Sequence, residues 1–84
     1  MSILENIADE LARNALALEE ELADEKVVEQ IAKHIGTSSP TVEEAFRTAI
    51  RMRRAEASAK KLMARLGEKR AARPANLPAR RDAT

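Results

Sequence analysis

The chain has 84 residues, with 15 Lys and Arg against 14 Asp and Glu, a single aromatic residue (Phe46) and no cysteine. That length allows one domain at most, and a core made largely of alanine buries too little area for a robust monomer, so self-association is the expected route to stability. Without cysteine there is neither a disulfide framework nor thiolate-held zinc; no apolar run approaches a membrane span and no basic-then-apolar leader opens the chain, so the expected setting is cytoplasmic and away from the membrane.

The near-neutral total hides a division. Residues 1–44 hold eleven acids and three bases, a net charge of −8, whereas residues 45–84 hold twelve bases and three acids, a net of +9. A bipolar chain can pair its halves within one subunit or between neighbours, and its basic half can meet phosphate.

Ser2 and Glu5 fit the S-x-x-E capping box and predict a helix from about Ile3. Leu4, Ala8, Leu11, Ala15, Leu18 and Leu22 then recur at steps of four and three, flanked by Ile7 and Leu16, as one face of that helix. The opposite face is acidic. The register fails after Leu22, because Val27, Val28, Ile31, Ala32 and Ile35 are displaced from the first stripe; a break near residues 23–25 follows, with Asp24 as a cap for a fresh start. Gly36 reads as a left-handed helix end, followed by a loop of Thr37, Ser38, Ser39 and Pro40.

Ser39 before Pro40 is a strong helix start, and Glu43 and Glu44 sit in the first turn, where the helix dipole favours negative charge. This helix is expected to run through Leu66 and to end at Gly67. Ala45, Ala49, Met52, Ala59, Met63 and Leu66 form a narrow seam along it, suited to packing on another long helix. Residues 68–84 combine Lys69, Arg70, Arg73, Arg80 and Arg81 with Pro74, Pro78 and alanines, and read as a disordered basic tail whose only sizeable apolar group is Leu77. The expected fold is therefore all-α: an antiparallel helical hairpin of two to three helices over residues 1–67, assembled into a homo-oligomer and followed by the tail.

Two patterns bear on function. Ala32, Gly36 and Val42 have the spacing of a helix-turn-helix, with a small residue at the crossing, a turn glycine and a buried β-branched residue early in the second helix. Any short-turn helical hairpin shares that spacing, and Glu43 and Glu44 would face phosphate at the groove. The second pattern is basic: Arg47, Arg51 and Arg54 share one helix face, continued by Lys61 and Arg65, as a stripe able to hold double-stranded DNA without reading its sequence. The alternative is a solvated face, or one paired with Glu19, Glu20, Glu21, Glu25 and Glu29 of a neighbour. No aromatic groups stack bases, which disfavours single strands. His34 is the only histidine, the carboxylates run along solvated faces and no glycine-rich phosphate loop exists, so neither catalysis nor a metal or other cofactor is expected.

The segment ADEKVVEQIAKHIGTSSPTVEEAFRTAIRMRRAEA, a helical turn leading into a long helix that ends in a basic, proline-containing tail, resembles the oligomerising core of small terminase subunits. These are the DNA-recognition components of tailed-phage packaging motors, and the compact version carried by alphaproteobacterial gene transfer agents is the most similar form. The resemblance spans about residues 3–66. It implies a ring of identical subunits, double-stranded DNA held against basic residues, and a C-terminal segment (Arg73, Leu77, Arg80, Arg81) that engages the large terminase or a similar partner. The chain has no room for a separate N-terminal DNA-binding domain, so the implied DNA binding is weak and non-specific. Two other classes fit the same residues: a small helix-turn-helix regulator reading DNA with Ser38, Ser39, Thr41 and Arg47, and a protein-interaction adaptor using its acidic first helix.

Overall fold

The helices begin where their caps are written. In the computed structural model, which describes residues 2–71, the backbone N–H of Glu5 donates to Ser2 Oγ and that of Ser2 donates to Glu5 Oε1, each at 3.1 Å. This closed capping box starts α1, Ile3–Leu22. The helix stops in a left-handed turn at Ala23 (φ 51°, ψ 42°), where the Ala23 N–H donates to the Glu20 carbonyl and the Asp24 N–H to that of Glu19, both at 3.2 Å. That is a Schellman ending built on alanine in place of the usual glycine. Asp24 Oδ1 then accepts from the Lys26 N–H at 2.9 Å and turns the chain into α2, Val27–Ser38. The break expected at residues 23–25 is real, and α1 and α2 are separate helices.

The expected loop at residues 37–40 shrinks to one residue. Gly36 has no positive φ, and α2 continues through Thr37 and Ser38, so Gly36 is not a turn glycine. Its lack of a side chain serves a close approach instead: a Cβ there would collide with the Glu43 carboxylate, whose Cδ would stand only 2.9 Å away. Ser39 alone is extended (φ −156°, ψ 105°), and its Oγ accepts from the Val42 N–H at 3.1 Å, capping α3, Pro40–Ala71.

α3 also outruns its expected end. It passes through Gly67 and reaches 32 residues, or about 48 Å. A glycine costs about 1 kcal/mol inside a helix, but here it is flanked by the strong helix formers Leu66, Glu68 and Lys69, and Lys69 and Arg70 face the negative end of the dipole in the last turn. Residues 68–71 are thus helical rather than part of a tail. Arg73, Leu77, Arg80 and Arg81 lie outside the described residues.

All three helices described pack on one another, and no strand occurs among the described residues. The core holds Ala12, Ala15, Val28, Ala32, Phe46 and Ile50, with Leu11, Leu16, Ile31, Ile35 and Ala49 against it. Phe46 is its one large, wholly enclosed side chain. Within the chain the packing face of α3 is the Phe46, Ile50 and Arg53 row, which lies beside the expected seam and takes in only its Ala45 and Ala49 end. On α1 the expected stripe divides: Ala8 and Ala15 turn inward together with Ala12, which lay outside it, Leu11 and Leu16 pack against the core, and Ile7, Leu18 and Leu22 stay exposed, as does Ile3. Small side chains let α1 approach the other helices closely, which leaves the larger ones on the rim. No helix among the described residues is long and apolar enough to cross a membrane.

Candidate nucleic-acid interface

The five bases of the expected DNA stripe separate into two groups along α3. Arg47, on the second turn, is held from two helices at once. Its Nη1 and Nη2 donate to Glu29 Oε1 and Oε2 of α2 at 2.8 and 3.0 Å, and its Nε and Nη2 donate to Glu43 Oε2 at 3.0 and 2.8 Å. The fork geometry of guanidinium suits this double grip and leaves little for an outside anion. The hydrogen bonds with Glu29, then those with Glu43, raise the Arg47 pKa, and the same bond to Arg47 pulls Glu29 below the usual carboxylate range. The space above Gly36 is where the Glu43 carboxylate lodges.

Arg54 reaches back to α1, its Nη2 donating to Glu19 Oε2 and Oε1 at 3.1 and 3.3 Å, with half of the side chain still exposed. Arg51 is more open. It lies 3.7 Å from Glu44 and donates weakly to Thr48 Oγ1 at 3.3 Å. The acidic half of the chain therefore meets the basic half within one subunit, through Glu29 and Glu19, and through Asp9 as described next.

Arg53 belongs to the same basic stretch but lies off the expected DNA face. Its Nε and Nη2 donate to Asp9 Oδ1 and Oδ2 at 2.8 and 2.7 Å, a bidentate pair between α3 and α1 that holds Asp9 below the ordinary carboxylate range. Asp9 and Glu19 stand ten residues apart on α1, about 15 Å of helix, so adjacent Arg53 and Arg54 grip α1 on either side of its contact with α3. The signal was the spacing: Arg53 follows Phe46 by seven and Ile50 by three, on the core side of the helix.

Past Arg54 the surroundings change. Residues 55–71 of α3 project by about 25 Å, and residues 55–70 are exposed, Gly67 alone being half-covered. Lys60 pairs with Glu56 on its own helix at 3.3 Å, whereas Lys61, Arg65, Lys69 and Arg70 make no ion pair among the described residues. Lys61 and Arg65, one turn apart, present an exposed cationic edge, with Glu68 one turn further along it. An apolar row, Met52, Ala55, Ala59, Leu62 and Leu66, runs along another side of the same projection at steps of three and four, with Met63 beside it.

The expected helix-turn-helix surface is not assembled as such. Ala32 is wholly buried at the helix contact and Val42 half-buried, but Gly36 makes no turn and the Ser39 hydroxyl is taken by its cap. His34 is exposed, and its carbonyl accepts from Thr37 Oγ1 at 2.6 Å. No cluster of three or more His, Asp or Glu able to hold a metal ion occurs among the described residues. No protein-family profile, curated protein or solved structure matches the chain.

Proposed function

We propose that this chain is a non-enzymatic DNA-packaging adaptor of the small-terminase kind, which self-associates, holds double-stranded DNA weakly and without strong sequence preference, and recruits a packaging ATPase through residues beyond 71. The observation that carries the reading is the division of bases along α3. Arg47 and Arg53 are consumed in holding the three helices together, and Arg54 partly so, while Lys61 and Arg65 stand exposed on a projecting rod and form no ion pair among the described residues. Bases of that kind neutralise phosphates and release counterions, which gives affinity that falls steeply with salt and is indifferent to sequence. The DNA contact therefore centres on Lys61 and Arg65, with Arg51 and Arg54 as the nearer part of the same face. The helix-turn-helix regulator is the weaker reading because its turn glycine and its serine hydroxyl both have other work.

The test is retention on double-stranded DNA across a salt gradient. Reversing Lys61 and Arg65 to Glu should abolish retention and flatten its salt dependence while leaving helicity unchanged by circular dichroism. Arg51→Glu with Arg54→Glu should weaken retention less. If a chain ending at residue 71 with both groups intact failed to bind, the contact would belong to the tail and the assignment to α3 would be wrong.

A further inference from the structure

Two apolar faces of the chain are left without a partner, and they differ in charge. On α1, Ile3, Ile7, Leu18 and Leu22 are 77, 47, 40 and 58% exposed and lie on one side of the helix. At about 100° per residue, Glu10 and Glu21 lie along one edge of that side and Asn14 within it between Ile7 and Leu18, and neither Glu forms an ion pair among the described residues. On α3 from Met52 outward, Met52, Leu62, Met63 and Leu66 are 66, 46, 67 and 51% exposed, and the row of Met52, Ala55, Ala59, Leu62 and Leu66, with Met63 beside it, has the alternating three-and-four spacing of a coiled-coil seam. Arg51 and Lys69 border this one. Neither row faces the core of its own subunit, and exposed apolar faces of this length mark contact surfaces.

We infer that the α1 leucine face of one copy docks on the projecting α3 seam of a second copy, with Glu10 and Glu21 set against Arg51 and Lys69. This gives a form to the self-association in the functional reading above, and it rests on that reading for nothing else. Charge selects the occupant. Packed antiparallel, two α3 seams would bring the Arg51 and Lys69 rims of both copies side by side, and two α1 faces would do the same with their glutamates, whereas α1 on α3 sets the glutamate rim of one copy against the basic rim of the other. Because the two surfaces are different parts of one chain, the contact is heterologous, and repetition gives a reciprocal pair or a ring where the rotation between copies closes and an open filament where it does not. The centre of the DNA edge survives this arrangement, while Arg51 passes from that edge to the interface. Lys61 lies about 150° and Arg65 about 110° round the helix from the centre of the seam, so both stay open when the seam is covered.

The absence of cysteine makes a mixing experiment clean. Full-length chains carrying Leu18→Cys, with an affinity tag, are combined under mild oxidation with untagged chains carrying Ala55→Cys, Leu62→Cys or Leu66→Cys, and the disulfide species are sized. All four positions are exposed, so circular dichroism should show an intact fold. A tagged-to-untagged disulfide with at least one of the three α3 positions, weakened by Glu10→Lys with Glu21→Lys, is the expected result. Disulfides formed only between identical chains, or a native mass of one chain for the unmodified protein, would overturn the interface. The Lys61→Glu, Arg65→Glu chain separates the two readings: it should form the mixed disulfide normally while losing DNA. Retained DNA binding without any mixed disulfide would sink the interface and leave the DNA assignment standing.

Discussion

Residues 40–54 and 55–71 belong to one uninterrupted helix and obey different rules. The first stretch is held by α1 and α2: Phe46 and Ile50 are buried, and Arg47, Arg53 and Arg54 are each tied to a carboxylate of another helix. The second is exposed and remains helical because of its composition. Ala55, Ala57, Ala59 and Ala64 alternate with Lys, Arg, Leu and Met, all strong helix formers, and the stretch extends a helix already nucleated by the first half. The lesson concerns arginine. Spacing cannot tell a base that holds a fold together from one that greets a partner; what separates them is whether another helix lies within reach.

The sharpest way to break this contrast is Phe46→Ala. Truncating the only large enclosed side chain should cost about 3–5 kcal/mol, enough to abolish cooperative thermal unfolding of so small a body, whereas Leu62→Ala at the same helix's exposed end should change intrachain stability by less than about 0.5 kcal/mol. Acid should sharpen it next. Asp9 and Glu29 have folded-state pKa values lowered by Arg53 and Arg47, so their stabilisation is fully present above the ordinary carboxylate range and is lost as pH falls through the lowered values. Titration below about pH 4 should thus release the contacts among α1, α2 and residues 40–54, read as rising amide exchange there, while residues 55–71, already open to exchange, change little. Ser39→Ala, which removes the α3 cap, should destabilise by about 1 kcal/mol. Of similar size and opposite sign, Ala23→Gly should stabilise by about 1 kcal/mol, since glycine accepts the left-handed geometry that alanine holds at a cost. A loss of stability in Ala23→Gly would mean the Schellman ending is not the conformation adopted.

Much of the fold was legible where one residue performs one local task. Ser2 with Glu5 and Ser39 with Pro40 marked their helix starts because capping is settled within four residues, whereas Asp24 marked the break but does not cap α2, whose N-cap is Lys26 without a side-chain hydrogen bond. The failures came where distant groups decide. Gly36 and Gly67 look alike in sequence as helix ends, yet the first makes room for Glu43 and the second is simply overridden by its neighbours. The α1 stripe was found, but not which edge of it turns inward, because alanine wins the core through close helix approach rather than through hydrophobicity. Of the candidate site, Lys61 and Arg65 keep their expected openness. Arg47 does not, since its partners lie 18 residues upstream on another helix and on its own first turn.

Ser39 has a mechanical consequence. A joint of one residue has only two soft torsions, so α2 and α3 meet with almost no slack, and Arg47 braces them beside it. The free end of α3 is then the long arm of a lever whose short arm is clamped by α1 and α2. A load that swings residues 55–71 must be resisted at Ile50, Arg53 and Arg54 or transmitted around Ser39 into α2. Lengthening that joint by a few glycines would leave every cap and side-chain pair available and still uncouple the arm from the body.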